Sequence, residues 1–280
     1  MERRANTGTT RQDVAMLLTG DCDVYKPDGK VLCQLRRGAL SAVVLEQAYP
    51  ALHHLRKYTT DNRGAYSGNE TSRGQMREDG RLSRQTRTIA DGKVVQVASA
   101  IVGYYDRQGG RFPFCRKTAF TANEVDKWNT LLPMVREAAG VFKQCSPERY
   151  AAQLAATKKC APDWIIPGTP FSTLTVNNNV VPAAIHKDKG DYKDGLGLIS
   201  VSRLGSYSGA WLTFPEYAVA ADLYDGDLIF FNSHEWHGVT PFEDAVDHER
   251  ISVVYYFRER LLDCGTASQE LERAKARDAL

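Results

Sequence analysis

His186-Lys187-Asp188, followed by His237 and then Arg250, is the stretch of sequence that decides the reading. Residues i and i+2 of a β-strand point to the same face, so His186 and Asp188 can reach one ion. A third ligand must then arrive from a distant strand, which a closed or folded-over sheet supplies. Two histidines and one carboxylate form the facial set that holds non-haem Fe(II) and leaves coordination positions open. His237 is taken as the third ligand, because His237-Gly238-Val239-Thr240-Pro241 sets it just before the turn that leads to Arg250. His234 is the other candidate, and its alternative role is a polar partner behind the ligands. Arg250 heads the alternating run Ile251-Ser252-Val253-Val254-Tyr255-Tyr256-Phe257, where a guanidinium can make two parallel hydrogen bonds to a carboxylate. The pattern predicts a dioxygenase that uses Fe(II), 2-oxoglutarate and O2, with Arg258 and Asn177 as further contacts to the co-substrate. His-x-Asp alone is common on β-domains; its combination with the later His, Pro241 and a strand-heading Arg separates it from scattered polar residues.

Composition agrees with one enzyme domain. The chain has 280 residues, 42% of them hydrophobic, enough to bury a large core. Its net charge is +2, so it carries no global basic field, and any contact with nucleic acid must come from a local patch. No long apolar run is present, and Met1-Glu2-Arg3-Arg4 lacks a hydrophobic core, so neither a membrane span nor a secretory signal is expected. Six dispersed cysteines without a Cys-x-x-Cys pair read as reduced thiols. The expected setting is intracellular: cytoplasmic in a bacterium or a virus-infected host, nuclear in a eukaryote.

Apolar spacing from Leu40 to Tyr58 suits a helix broken near Pro50. Thr121 to Glu124 reads as a capping box before a helix carrying Trp128, which Pro133 ends or restarts. Ser146-Pro147 opens another helix. From Pro170 onward, short strands with Gly, Pro and Asp turns predominate. The fold expected is α+β: a double-stranded β-helix core, jelly-roll or cupin-like, flanked by helices. A single domain spans 1–280, with a helical and Arg-rich extension over 1–94, the core over 95–264 and a charged, exposed tail over 265–280.

The polar segment 59–94 carries its own signal. Arg63, Arg73, Arg77, Arg81, Arg84 and Arg87 are interleaved with Gly64, Gly68, Gly74 and Gly80. Such a loop can follow a phosphate backbone. The plainer alternative is a solvated loop, helped by Glu70, Glu78 and Asp79.

Several stretches resemble the TET/JBP family, nearer its JBP-type branch. They are Thr175-Val176-Asn177-Asn178-Asn179, His186 to Asp191, and His234-Glu235-Trp236-His237-Gly238. Gly103-Tyr104-Tyr105-Asp106, Cys115-Arg116-Lys117-Thr118, Trp128, Gly168-Thr169-Pro170-Phe171, Gly209 with Pro215 and Tyr217, and the close from Arg250-Ile251-Ser252 through Arg258-Glu259 extend the likeness in order. It covers roughly residues 95 to 264. The resemblance implies oxidation of the 5-methyl group of a pyrimidine in DNA. A methyl inside a duplex cannot approach a buried iron, so a flipped base is expected, with Asp191 and Asn179 as contacts and the arginines on phosphates. An acid at Asp191 would accept from a cytosine amino group, which puts 5-methylcytosine ahead of thymine, although the thymine-directed branch also carries an acid there. The partner expected is DNA, and the protein is expected to act as a monomer. Two other classes are weighed against this: a hydroxylase of a small molecule or protein, which leaves the Arg-rich loop idle, and a silent DNA-binding module, which the intact triad opposes.

Overall fold

The computed structural model describes residues 8–58, 75–76, 82–83, 86–88, 94–109 and 112–278. Three strands open the chain: β1 (Met16–Leu18), β2 (Cys22–Tyr25) and β3 (Val31–Arg36). Helix α1 (Ala42–His54) follows. Next come two small antiparallel pairs, β4 (Gln75–Met76) with β5 (Leu82–Ser83), and β6 (Thr86–Thr88) with β7 (Val94–Gln96). Strands β8 (Ala98–Tyr105) and β9 (Arg116–Lys117) lead into α2 (Ala119–Asn123), α3 (Val125–Cys145) and α4 (Pro147–Thr157). The remaining strands are β10 (Thr173–Asn178), β11 (Ala183–His186), β12 (Gly197–Gly209), β13 (Leu212–Phe214), β14 (Val219–Ala221), β15 (Leu228–Phe231), β16 (His237–Val239) and β17 (Phe242–Tyr256). Helix α5 (Ala267–Asp278) closes the chain.

Two sheets face each other. The larger runs β2-β3-β15-β12-β17-β10-β8-β9 and the smaller β1-β14-β13-β16-β11. The period of two along each strand explains the layering. On β17, Ile251, Val253 and Tyr255 join Leu228, Phe230, Leu174 and Leu198 in a core shared with α1 and α3. The alternate positions Ile199, Val201, Ile229 and Phe231 turn inward and pack with Leu212 and Phe214 of the smaller sheet. Arg250 lies on this inward face by the same alternation, and it is buried. The architecture is the expected double-stranded β-helix with helices on one side.

The structure corrects several local expectations. Helix α1 continues through Pro50 to His54. Pro50 removes the bond to the Glu46 carbonyl, but both residues face solvent, and Leu52 and Leu55 bury the last turn. Likewise α3 runs unbroken through Pro133, between the fully buried Leu131 and Met134. The Thr121 capping box does not form. Glu124 is the N-cap of α3, while the Thr121 hydroxyl accepts the Gly103 N–H at 2.7 Å. Gly103 has φ +94, and a Cβ there would come within 2.5 Å of the Ser172 carbonyl oxygen.

The N-terminal segment is more than an extension of the core. β3 pairs with β15 and β1 with β14, so each sheet takes strands from it. The chain is drawn in because β3 supplies the fully buried Leu32, Cys33 and Leu35.

The C-terminal tail is anchored rather than merely exposed, and Cys115 and Cys264 form a disulfide instead of two reduced thiols. They lie 149 positions apart, so no local spacing could announce the pair. Beside it the Glu270 carboxylate takes the N–H groups of Cys115 at 2.8 Å and Gly265 at 2.9 Å and pairs with Arg107. Burial alone would raise this carboxyl, but Arg107 and the two N–H groups outweigh it and hold it below the usual glutamate value. Its contribution to stability is therefore fully present at neutral pH and is lost as pH falls through that depressed value. Glu270→Ala is expected to lower unfolding free energy by about 2 kcal/mol at pH 7, the scale of lost charge-assisted hydrogen bonds. The difference should shrink in acid, and chemical denaturation at two pH values measures it.

Candidate metal and co-substrate site

The ligand atoms of His186, Asp188 and His237 lie within 4.8 Å of one another. His186 closes β11 and His237 opens β16, and the two are direct cross-strand partners. Facing pairs on adjacent strands project to one side, which brings their rings to 4.4 Å. Asp188 comes just past the end of β11, where its N–H donates to the Ser233 carbonyl at 2.9 Å. Its two carboxylate oxygens are 3.6 Å from His186 Nε2 and 3.4 Å from His237 Nε2. Donors about 2 Å from an octahedral ion and at right angles lie roughly 3 Å apart, so a small closure completes the set.

The histidine tautomers are fixed from behind. His186 Nδ1 faces the Ala184 carbonyl at 2.8 Å and His237 Nδ1 the Glu235 carbonyl at 2.9 Å. With both Nδ1–H groups donated to backbone, both Nε2 lone pairs turn to the shared point. The Glu235 turn is itself held, its carboxylate accepting from Lys26 at 3.0 Å and the Tyr217 hydroxyl at 3.1 Å. His234 stays outside the cluster, its Nε2 buried and without a hydrogen-bond partner among the described residues.

Arg250 is 4% exposed and sits where β17 meets β12. Its N–H donates to Asn179 Oδ1 at 2.7 Å, and its carbonyl accepts from the Asn179 N–H at 2.8 Å. Asn179, at φ +51, thus spends its side chain on the β17 backbone and positions Arg250, where a substrate contact was expected. No carboxylate among the described residues forms an ion pair with Arg250, and Arg203 lies directly across the ladder. The nearby Asp222 is paired with Arg203, and a buried guanidinium without an ion pair of its own is a place for an anion. The residues therefore fit both groups that the sequence implies: two neutral imidazoles and a carboxylate for Fe(II), and an inward guanidinium for the far carboxylate of 2-oxoglutarate.

Arg258 does not join that pocket. It pairs with Asp106 at 3.1 Å and lies 4.0 Å over the Tyr105 ring, because an eight-residue step along the chain carries it to the other end of β17. Asn177 lines the inner wall, its Oδ1 accepting from Ser99 at 2.6 Å. Asp191 is buried, and its backbone bridges to that of Arg258. Burial first, and the Asp188 charge second, push its carboxyl well above the usual aspartate value. Arg63, Arg73, Arg77, Arg81 and Arg84 lie outside the described residues. Sequence reading misses Arg203, Tyr207 and Asp222 around Arg250, since the β12–β17 register brings the first two there and Asp222 arrives from the end of β14.

Fold and site together define an Fe(II)- and 2-oxoglutarate-dependent oxygenase domain. Residues 100–259, more than half of the chain, match Tet_JBP, the oxygenase domain of the 2OGFeDO superfamily, and the chain belongs to that family. Among similar proteins, thymine dioxygenase JBP1 of Trypanosoma brucei brucei is 36% identical over 168 residues, 58% of this chain and 19% of that protein. Thymine dioxygenase JBP1 of Leishmania braziliensis is 31% identical over 230 residues, 80% of this chain and 26% of that protein. The chain thus spans about a fifth to a quarter of the length of these relatives. In fold it is similar to NgTET1 in complex with 5mC DNA, with a TM-score of 0.64 at 12% identity over 97% of this chain and 88% of that one.

Proposed function

We propose that this domain oxidises the 5-methyl group of a pyrimidine in DNA, using Fe(II), 2-oxoglutarate and O2. The observation that carries the reading is the His186–Asp188–His237 cluster beside the buried Arg250, which has no carboxylate partner among the described residues, inside a domain whose relatives are thymine dioxygenases. When bound, the iron and 2-oxoglutarate supply the oxidising power, with decarboxylation to succinate. The chain's own residues bind and orient. Ala184 and Glu235 carbonyls hold the imidazoles, Arg250 fixes the far end of the co-substrate, and the apolar layer of Phe231 and Phe214 excludes water from the inner wall.

The target methyl reaches the site on a flipped base. We read Asp191, three residues past Asp188 and beside Ser233, as a contact to that base: ionised, it would accept from the amino group of 5-methylcytosine, and protonated, as its raised carboxyl allows, it would donate to O4 of thymine. Its chemistry suits either base. The thymine reading is supported by the activity for which the JBP1 relatives are named. Succinate release tests the class: it should rise with DNA that carries 5-methylpyrimidines and stay at the uncoupled level with DNA whose pyrimidines lack a 5-methyl group. Equal stimulation by both would point to another substrate.

The Arg-rich segment is proposed to lie along the DNA phosphates. Replacing Arg73, Arg77, Arg81 and Arg84 with Ala is expected to weaken binding and to lower the log–log salt slope by about 0.9 for each phosphate no longer neutralised. DNA-free turnover of 2-oxoglutarate should be unchanged. A mutant that binds DNA like the parent at every salt concentration would make the segment a solvated loop.

A further inference from the structure

The pocket around Arg250 holds more polar groups than its own side chains satisfy. Arg203 and Arg250 face each other across β12 and β17. Arg203 has a counter-charge: its Nη1 is 3.6 Å from Asp222 Oδ1, and its Nη2 donates to the Tyr207 carbonyl. Its guanidinium also lies 3.9 Å over the Tyr207 ring and 4.6 Å over the Tyr224 ring. With Arg203 and Arg250 set against Asp222, one positive charge is left, enough for one carboxylate.

Tyr207 is the second unsatisfied group. Its ring is clamped by Phe242 at 5.0 Å and His248 at 5.9 Å, and it is 5% exposed. Its hydroxyl is buried against Arg250, whose guanidinium can only donate to it, and no acceptor for the hydroxyl proton is found among the described residues. A guanidinium has only donors, so Arg250 can never take the Tyr207 proton. That proton needs an acceptor, and the charge balance calls for an anion at the same place.

We propose that Tyr207 donates its hydroxyl proton to the far carboxylate of 2-oxoglutarate, beside the Arg250 guanidinium, and that it selects a 2-oxo diacid over a 2-oxo monoacid. This rests on the reading of Arg250 as the co-substrate anchor. Arg203, neutralised by Asp222, serves to hold the Tyr207 ring and adds no second free charge.

Binding to the full chain loaded with Mn(II), without DNA, tests this by calorimetry. The probes are 2-oxoglutarate and 2-oxopentanoate, which has the same ketoacid end and carbon count but a methyl in place of the far carboxylate. Tyr207→Phe keeps the ring and its packing. It is expected to weaken 2-oxoglutarate roughly tenfold or more, as loss of a hydrogen bond to a charged group does, while 2-oxopentanoate changes less than about twofold. Unchanged 2-oxoglutarate affinity, or equal weakening of both probes, overturns the proposal. Arg250→Lys separates the two levels. If it too leaves 2-oxoglutarate binding unchanged, the anchor reading fails; if it weakens binding where Tyr207→Phe does not, only the role of Tyr207 fails.

Discussion

His186→Ala, Asp188→Ala and His237→Ala are each expected to abolish turnover and to lower iron occupancy of the purified protein. The cluster offers three ligand atoms, so each change removes a third of the protein's hold on the metal. Loss of a partner behind a ligand already costs about 10- to 100-fold in metal affinity or activity, so loss of a ligand itself should exceed that. His237 offers the sharpest case. It is 3% exposed, its Nδ1 faces the Glu235 carbonyl, and no other described histidine can reach the cluster from β16. His234→Ala should retain bound iron. Loss of iron in His234→Ala, with retention in His237→Ala, would show the wrong histidine in the site.

Arg250→Lys is expected to raise the 2-oxoglutarate concentration needed for half-maximal turnover by about 30-fold, equivalent to about 2 kcal/mol for the weakened charged hydrogen bonding. An ammonium is a point donor on a flexible stem and cannot reproduce a fork of two parallel donors. Arg250 is buried, so a bulk ion has little access to compensate. An unchanged response would place the far carboxylate elsewhere. Arg258 is poorly placed to take over, since it is committed to Asp106 and Tyr105.

The triad is legible in the sequence because strand periodicity and donor chemistry act over a few residues. His186-x-Asp188 announces itself, and the run after Arg250 predicts a strand headed by a guanidinium; that Arg250 faces inward is seen only in the structure. The pairing of His186 with His237 is not legible, since it depends on how β11 and β16 align across a sheet. The same holds for Arg203 and Tyr207, which reach Arg250 only through the β12–β17 register and its bulges. Proline misleads twice. Pro50 and Pro133 sit inside helices whose buried faces hold the turns on either side, so tertiary packing overrides a strong local signal. The disulfide is invisible for a different reason: Cys115 and Cys264 meet only after the chain has closed the barrel and turned back.

Mass spectrometry of nucleosides from DNA incubated with the protein, Fe(II), 2-oxoglutarate and O2 tests the central claim most directly. The account predicts 5-hydroxymethylcytosine from 5-methylcytosine, or 5-hydroxymethyluracil from thymine, in amounts that depend on 2-oxoglutarate and vanish in His237→Ala. Unaltered nucleosides from an iron-loaded protein that still converts 2-oxoglutarate to succinate would contradict it and move the substrate outside DNA.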